Sequence, residues 1–312
     1  MPSTSTTGYR LPRRSVLGAA AGLGAVLAAA PVFGAAAPAR AADAPAGAGL
    51  PDGPESSHLI VLFLDGGFDG LAAVAPLDDA DYRRARPDLA LPGDRLTPLG
   101  TRWGLHPGLA DLLTLWQRQE LSIVHGVGLP EPSSSHFTER ARLADTLDLV
   151  GVRAAGVHVT SLTLGNWDMH HSAGNSADPQ GWFSRRATRL AATIAALPAA
   201  LGAQWQRTTV LTVTEFGRQV AQNSGGGLEH GQASAMFLAG GGFGDAGGAD
   251  PGPGEPEPGA YQLRTRIDSL QPGALTAEGG LPCSIDLREV LARVVAPRLR
   301  LPDGFWVGQS TA

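Results

Sequence analysis

Leu59 to Leu64 is an unbroken apolar run that stops abruptly at Asp65-Gly66-Gly67. Six consecutive apolar positions suit a strand buried on both faces, as in a parallel sheet. Ser122–Gly128, Val157–Leu164, Thr209–Thr214 and Ala235–Ala239 are short runs rich in strand-forming residues and predict four more strands. Helical spacing separates them. Leu109, Leu112, Leu113 and Trp116 follow Gly104-Leu105-His106-Pro107, and the serines at 133–135 read as the N-cap of a helix running to about Leu147. Phe183 to Trp205 predicts two short helices or one kinked at Pro198, and Ile285 to Val295 predicts a final amphipathic helix. Strand, helix, strand opens a βαβ unit. Pro76 to Gly100 reads as a surface excursion with one helical turn around Asp81 to Ala85.

Acids and histidines recur where the strands end. The first strand delivers Asp65 and Asp69, where open α/β sheets bind ligands, although Asp and Gly are also common turn residues. After the second strand comes Ser135-His136. Ser135 reads either as a helix cap or as a hydroxyl placed in a positive dipole. Asp168 and His170, two apart after the third strand, can point to one side in extended chain, a pairing that suits zinc or manganese. Glu215 follows the fourth strand, with Arg218 placed either to clamp an oxyanion or to pair with Glu215. The glycine-rich loop Asn223 to Leu228 delivers Glu229 and His230. Repeated acids at strand ends imply a cation that offsets their repulsion.

Composition narrows the chemistry. There is no lysine: all 24 basic residues are arginine, which excludes Schiff-base chemistry and a P-loop. A net charge of −5 gives no reason to expect a nucleic-acid partner, and the single cysteine, Cys283, excludes an intrachain disulfide and a thiolate metal cluster. Pro12-Arg13-Arg14-Ser15-Val16-Leu17 is a twin-arginine pattern ahead of a weakly apolar run, with Ala39-Arg40-Ala41 as the cleavage site. The expected organisation is a signal peptide over 1–41, a tether over 42–57, and one α/β domain over 58–312 with a Gly/Pro-rich mobile loop at about 240–260. Export through the twin-arginine translocase, to the cell envelope or beyond it and without a permanent membrane span, is the expected localisation.

The leader, F-L-x-G-G-x-D-G-L, G-L-H-P-x-L, V-H-x-V-G, P-x-x-S-H-F, G-x-W-D-x-H, T-x-x-E-F-G-R and x-H-G together resemble the DUF1501 family of exported bacterial proteins, from Leu59 to Val295. That family is grouped with the alkaline phosphatase and sulfatase superfamily. The resemblance implies a doubly wound, mostly parallel sheet with helices on both faces and a metal site at the strand ends. It further implies Asp65 or Asp69 as ligands, Ser135 as an alkoxide nucleophile beside His136, and Asp168, His170, Glu229 and His230 as ligands. The expected activity is hydrolysis of a phosphate or sulfate ester, of a small molecule or a polymer, with a divalent metal: zinc first, manganese or calcium as alternatives. Two departures stand out. The family's D-H-G is Glu229-His230-Gly231 here, and only 30 positions separate Phe137 from Trp167, so the middle is shortened. The alternative expectation is a secreted binding or scaffold protein that keeps the fold without the chemistry.

Overall fold

A computed structural model of the chain describes residues 57–174, 177–241, 243 and 262–306. The expected signal peptide and nearly all of the tether lie outside the described residues, as does most of the 240–260 loop. The central sheet contains β1 (His58–Phe63), β2 (Leu121–Gly128), β3 (His158–Thr163), β4 (Thr208–Val213), β5 (Ser234–Ala239), β6 (Leu263–Thr265) and β7 (Ile285–Asp286). Their order is β7-β2-β5-β4-β1-β3, with β6 also paired to β2. β1 pairs in parallel with β3 and β4, and β2 with β6 and β7. β5 alone runs against its neighbours.

The apolar run of β1 is buried on both faces, as its pattern requires. Ile60, Leu62 and Leu64 join one core with Phe237 and with Ala187, Leu190, Ala191 and Ile194 of α3 (Trp182–Leu201). Leu59, Val61 and Phe63 join the other with Leu143 and Leu147 of α1 (His136–Leu147), Val152 of α2 (Leu149–Ala154), and Leu291 and Val295. Helices therefore cover both faces of a mostly parallel sheet, and each fully buried aliphatic side chain contributes roughly 1.5–3 kcal/mol. Among the described residues no helix is long and apolar enough to cross a membrane.

Several expectations need adjustment. The segment from Trp182 to Leu201 is one helix, because Pro198 falls in its last turn where little hydrogen bonding follows. The terminal helix begins after β7: Ile285-Asp286 pairs with Val127-Gly128, and Asp286 then caps Leu287–Val290. A π-helical turn, Leu291–Val295, leads into Ala296–Leu299. The Pro76–Gly100 excursion carries the expected turn at Ala80–Ala85. It is also framed by a small antiparallel sheet of Val74–Pro76, Trp103–Leu105 and Thr97–Pro98.

The excursion supplies Arg86, which overturns the ligand role expected of Asp69. Arg86 is fully buried and grips both Asp69 oxygens, at 2.7 and 3.1 Å. It also donates to the carbonyls of Val220 and Gln219, and Asp69 Oδ1 accepts from Ala72 N at 3.2 Å. Asp69 is therefore a cap and a buried counter-ion, with both of its oxygens already engaged.

His125, at the bulge of β2, is fully buried against Trp103, with ring centroids 4.8 Å apart. Neither ring nitrogen makes a well-formed hydrogen bond. Burial, partly offset by the nearby Ser234 and Val74 carbonyls, pushes its pKa down to about 4. The folded state then binds fewer protons than the unfolded chain between the free-histidine pKa and about pH 4. Stability is full above roughly pH 6.5 and falls through that window, by on the order of 3 kcal/mol from this residue. His58 and His230, also held low, act with the same sign. Urea unfolding from pH 7.5 to 4 should therefore show a slope that shrinks in His125→Gln, whatever that variant's absolute stability.

Candidate metal centre

The β1 exit makes its turn with Gly66 at φ +114° and Gly67 at φ +79°. A Cβ on Gly66 would sit 2.4 Å from Asp168 N, so only glycine lets the β1 and β3 exits approach this closely. Gly66 N donates to Glu215 Oε1 at 2.9 Å, which ties the β4 exit to the same corner. Because β5 is antiparallel, its entry rather than its exit lies here, and with it Glu229 and His230.

Three imidazoles and one carboxylate converge. His136 Nε2 lies 3.7 Å from Asp168 Oδ2. His170 Nε2 lies 3.0 Å from Asp168 Oδ1 and 3.0 Å from His230 Nε2. His230 Nε2 is 3.6 Å from Asp168 Oδ1. His136, Asp168 and His230 each offer an atom within 4.8 Å of the others, a grouping able to hold a metal ion. Tetrahedral zinc ligands stand about 3.4 Å apart given bonds near 2.05 Å, so small adjustments suffice.

The other ring nitrogens fix what those Nε2 atoms are. His136 Nδ1 lies 2.6 Å from Glu215 Oε1, His170 Nδ1 2.7 Å from Glu229 Oε2, and His230 Nδ1 3.0 Å from the Ser134 carbonyl. All three partners are acceptors, so each Nδ1 carries a proton and each Nε2 is the atom turned toward the others; the 3.0 Å contact between His170 Nε2 and His230 Nε2 is a hydrogen bond when one of the two is protonated. With all three Nε2 atoms unprotonated, three lone pairs and a carboxylate face one another, an arrangement that suits a cation. His136 Nε2 is buried and makes no hydrogen bond among the described residues.

The electrostatics favour ligation. Burial works against the charge on Asp168, but the Arg218 hydrogen bond and charge, with His170 and His136, outweigh it and hold this carboxyl below its usual range. Burial, aided by Arg218, lowers the pKa of His230 from the usual imidazole value. Phe216 packs against both His136 and His230, with centroids 4.7 and 4.4 Å away.

Other expected site residues surround this group rather than join it. Glu215 is buried and spends Oε1 on Gly66 N and His136, with Oε2 taking the Thr214 hydroxyl at 3.2 Å. It orients His136. Glu229 orients His170 in the same way, held by Asn223 Nδ2 at 2.6 Å; that bond, joined by His170, keeps its carboxyl low despite slight burial. Asp65 pairs with Arg140, while burial, together with Glu215 and Asp168, pushes its pKa up. Arg218 is neither an open clamp nor a partner of Glu215. Its buried guanidinium bonds Asp168 Oδ1 at 2.6 Å and the carbonyls of Gly67, Leu228, Gly66 and Trp167. Ser135 is exposed and caps α1 through a long bond, 3.4 Å, from Thr138 N.

Arg140 and Asn223 were not singled out in the sequence. Arg140 stands one turn after His136 on α1, so an i,i+4 reading of that helix face finds it. Asn223 opens the glycine-rich loop, where an Asx turn is a standard expectation; its Oδ1 accepts from Gly225 N and Gly227 N.

Fold and site together define a mixed α/β protein with a histidine–carboxylate centre at its strand ends. Residues 132–301 match the family described as "Protein of unknown function (DUF1501)", and the chain belongs to that family. The match starts after β1 and β2, a narrower span than the motifs suggested. No curated protein and no solved structure matches the chain significantly.

A methyl group at position 66 provides a local test. Gly66→Ala meets a backbone atom and an unfavourable φ, so it should cost on the order of 1–3 kcal/mol and displace Asp168. Urea unfolding together with metal titration checks both effects.

Proposed function

We propose that the protein is an exported, metal-dependent hydrolase of phosphate or sulfate esters, built on an alkaline-phosphatase-like plan. The observation that supports it best is the convergence of three Nε2 lone pairs on Asp168, each ring pre-set by an acceptor on Nδ1. His136, Asp168, His170 and His230 would hold the ion. Three imidazoles and one carboxylate suit zinc first, with manganese or calcium as harder alternatives. A bound dication of this kind lowers the pKa of a hydroxyl or water and stabilises charge on the transferring oxygens.

The chain's own residues would do the rest. Ser135 is the hydroxyl placed for nucleophilic attack: exposed, at the N-terminus of a twelve-residue helix, and one residue before His136. The His230 bond to Ser134 ties this loop to the centre. Asp65 and Arg140, half-exposed at the same corner, would meet substrate or water, Arg140 facing an oxyanion. Glu215 and Glu229 keep two rings in their ligating tautomers, and Phe216 keeps water off one side.

A second reading is a secreted binding or scaffold protein without turnover. It draws support from the internal counter-charges, Arg218 on Asp168 and Arg140 on Asp65, which already neutralise two acids.

Elemental analysis of the purified chain should find about one divalent ion per molecule, lost in an Asp168→Asn, His230→Gln variant and released as pH falls and the histidines protonate. Wild-type protein that takes up no zinc, manganese or calcium and gains no thermal stability from them would sink the proposal. With metal present, Ser135→Ala should abolish turnover of aryl phosphates or aryl sulfates and leave metal content intact. Metal-loaded wild type that turns over neither ester class would favour the scaffold reading.

A further inference from the structure

Behind the β3 exit lies a cleft of about 310 Å³ walled by Thr163 to Trp167 on one side and by Arg185, Arg186, Arg189 and Leu190 of α3 on the other. The three guanidinium groups enter no ion pair among the described residues, and two of them are exposed. Arg186 is fixed in place: it stacks on Trp182 at 4.1 Å, donates from Nε to the Asn166 carbonyl at 2.6 Å and from Nη1 to the Trp182 carbonyl at 3.1 Å. Arg185 donates to the Gln180 carbonyl, and no bond to the Arg189 guanidinium occurs among the described residues. Arg185 and Arg189 stand at i,i+4, where like charges destabilise a helix. Burial, with Arg185 beside it, holds the Arg186 pKa down. Three uncompensated cations around one concave space are relieved by an anion, and a tetrahedral oxyanion offers enough acceptors to engage several guanidinium donors at once.

The cleft adjoins the metal centre. A Cβ on Gly165, in its wall, would touch Asp65 Oδ2 at 3.6 Å, and Trp167 N donates to the Asp65 carbonyl at 3.1 Å. The next residue along the chain is Asp168. One loop therefore presents the cleft on one side and the ligating carboxylate on the other.

We propose that this cleft is a subsite for a phosphate or sulfate group, and that it receives the non-reacting anion of an ester bearing more than one such group. Occupancy of the cleft rests on the arginines alone; the assignment to a multiply charged ester rests on the hydrolase reading above. The subsite would favour substrates that carry a second anionic group besides the scissile one.

Calorimetric titration of the folded chain with inorganic sulfate and with inorganic phosphate tests this, using metal-loaded wild type and Arg185→Gln/Arg189→Gln beside Asp168→Asn as purified. The expected result is binding in wild type and Asp168→Asn that weakens with added chloride, and a loss of about tenfold or more in the double-arginine variant. No binding to wild type, binding unchanged in the double variant, or binding lost only in Asp168→Asn would overturn the subsite. Preference for one anion over the other identifies which ester class the cleft serves. If binding follows the arginines but singly and doubly anionic esters alike go uncleaved, the subsite stands and the hydrolase reading falls. If turnover occurs with equal KM for both kinds of ester, the multiply charged substrate is overturned.

Discussion

The whole centre hangs on the guanidinium of Arg218. It is buried, permanently charged, and bonded to the carbonyls of Gly66, Gly67, Trp167 and Leu228 and to Asp168. Those oxygens come from the β1 exit, the β3 exit and the loop that enters β5. Packed together without a cation they would repel one another and remain unsolvated, a cost of one to several kcal/mol for each group left unsatisfied. One side chain therefore both joins three loops and sets the charge of the carboxylate at their meeting point. An arginine suits this role because its planar fork reaches several acceptors at fixed angles, which a lysine cannot do.

Around that joint the site is organised by indirect control. A glutamate, a second glutamate and a backbone carbonyl each claim one nitrogen of an imidazole and leave the other turned toward Asp168. Glu229, expected from the sequence to be a ligand, falls in this outer ring. Its side chain reaches His170 Nδ1 at 2.7 Å and is itself steadied by Asn223.

The sequence was most informative where one local pattern sufficed. Leu59–Leu64 reads as a doubly buried strand because continuous apolar character has few other uses, and Ser135 reads as a cap because a helix start leaves N–H groups to satisfy. The family and the coarse α/β plan could also be read in advance. Pairings across long stretches could not. Asp69 and Asp65 look equivalent in a D-G-G-x-D string, yet Arg86, brought in by the excursion, claims one of them. Arg218 sits three residues from Glu215 but reaches 50 residues back to Asp168. Periodicity cannot reveal these because charge partners are chosen by where chains cross, not by spacing along them. The direction of β5 was equally hidden: an apolar run of that length fits either orientation.

That reversed strand has a consequence for how the molecule tolerates change. β5 runs away from the histidines, so its far end at Ala239, paired with Leu121, lies at the opposite pole of the sheet. β6 begins again near that pole, Leu263 beside Ile123. The stretch between them both departs from and rejoins the sheet on the side remote from the histidine cluster. Because both of its anchor points lie there, a change in the length of that stretch acts on the sheet at the pole away from the histidine cluster.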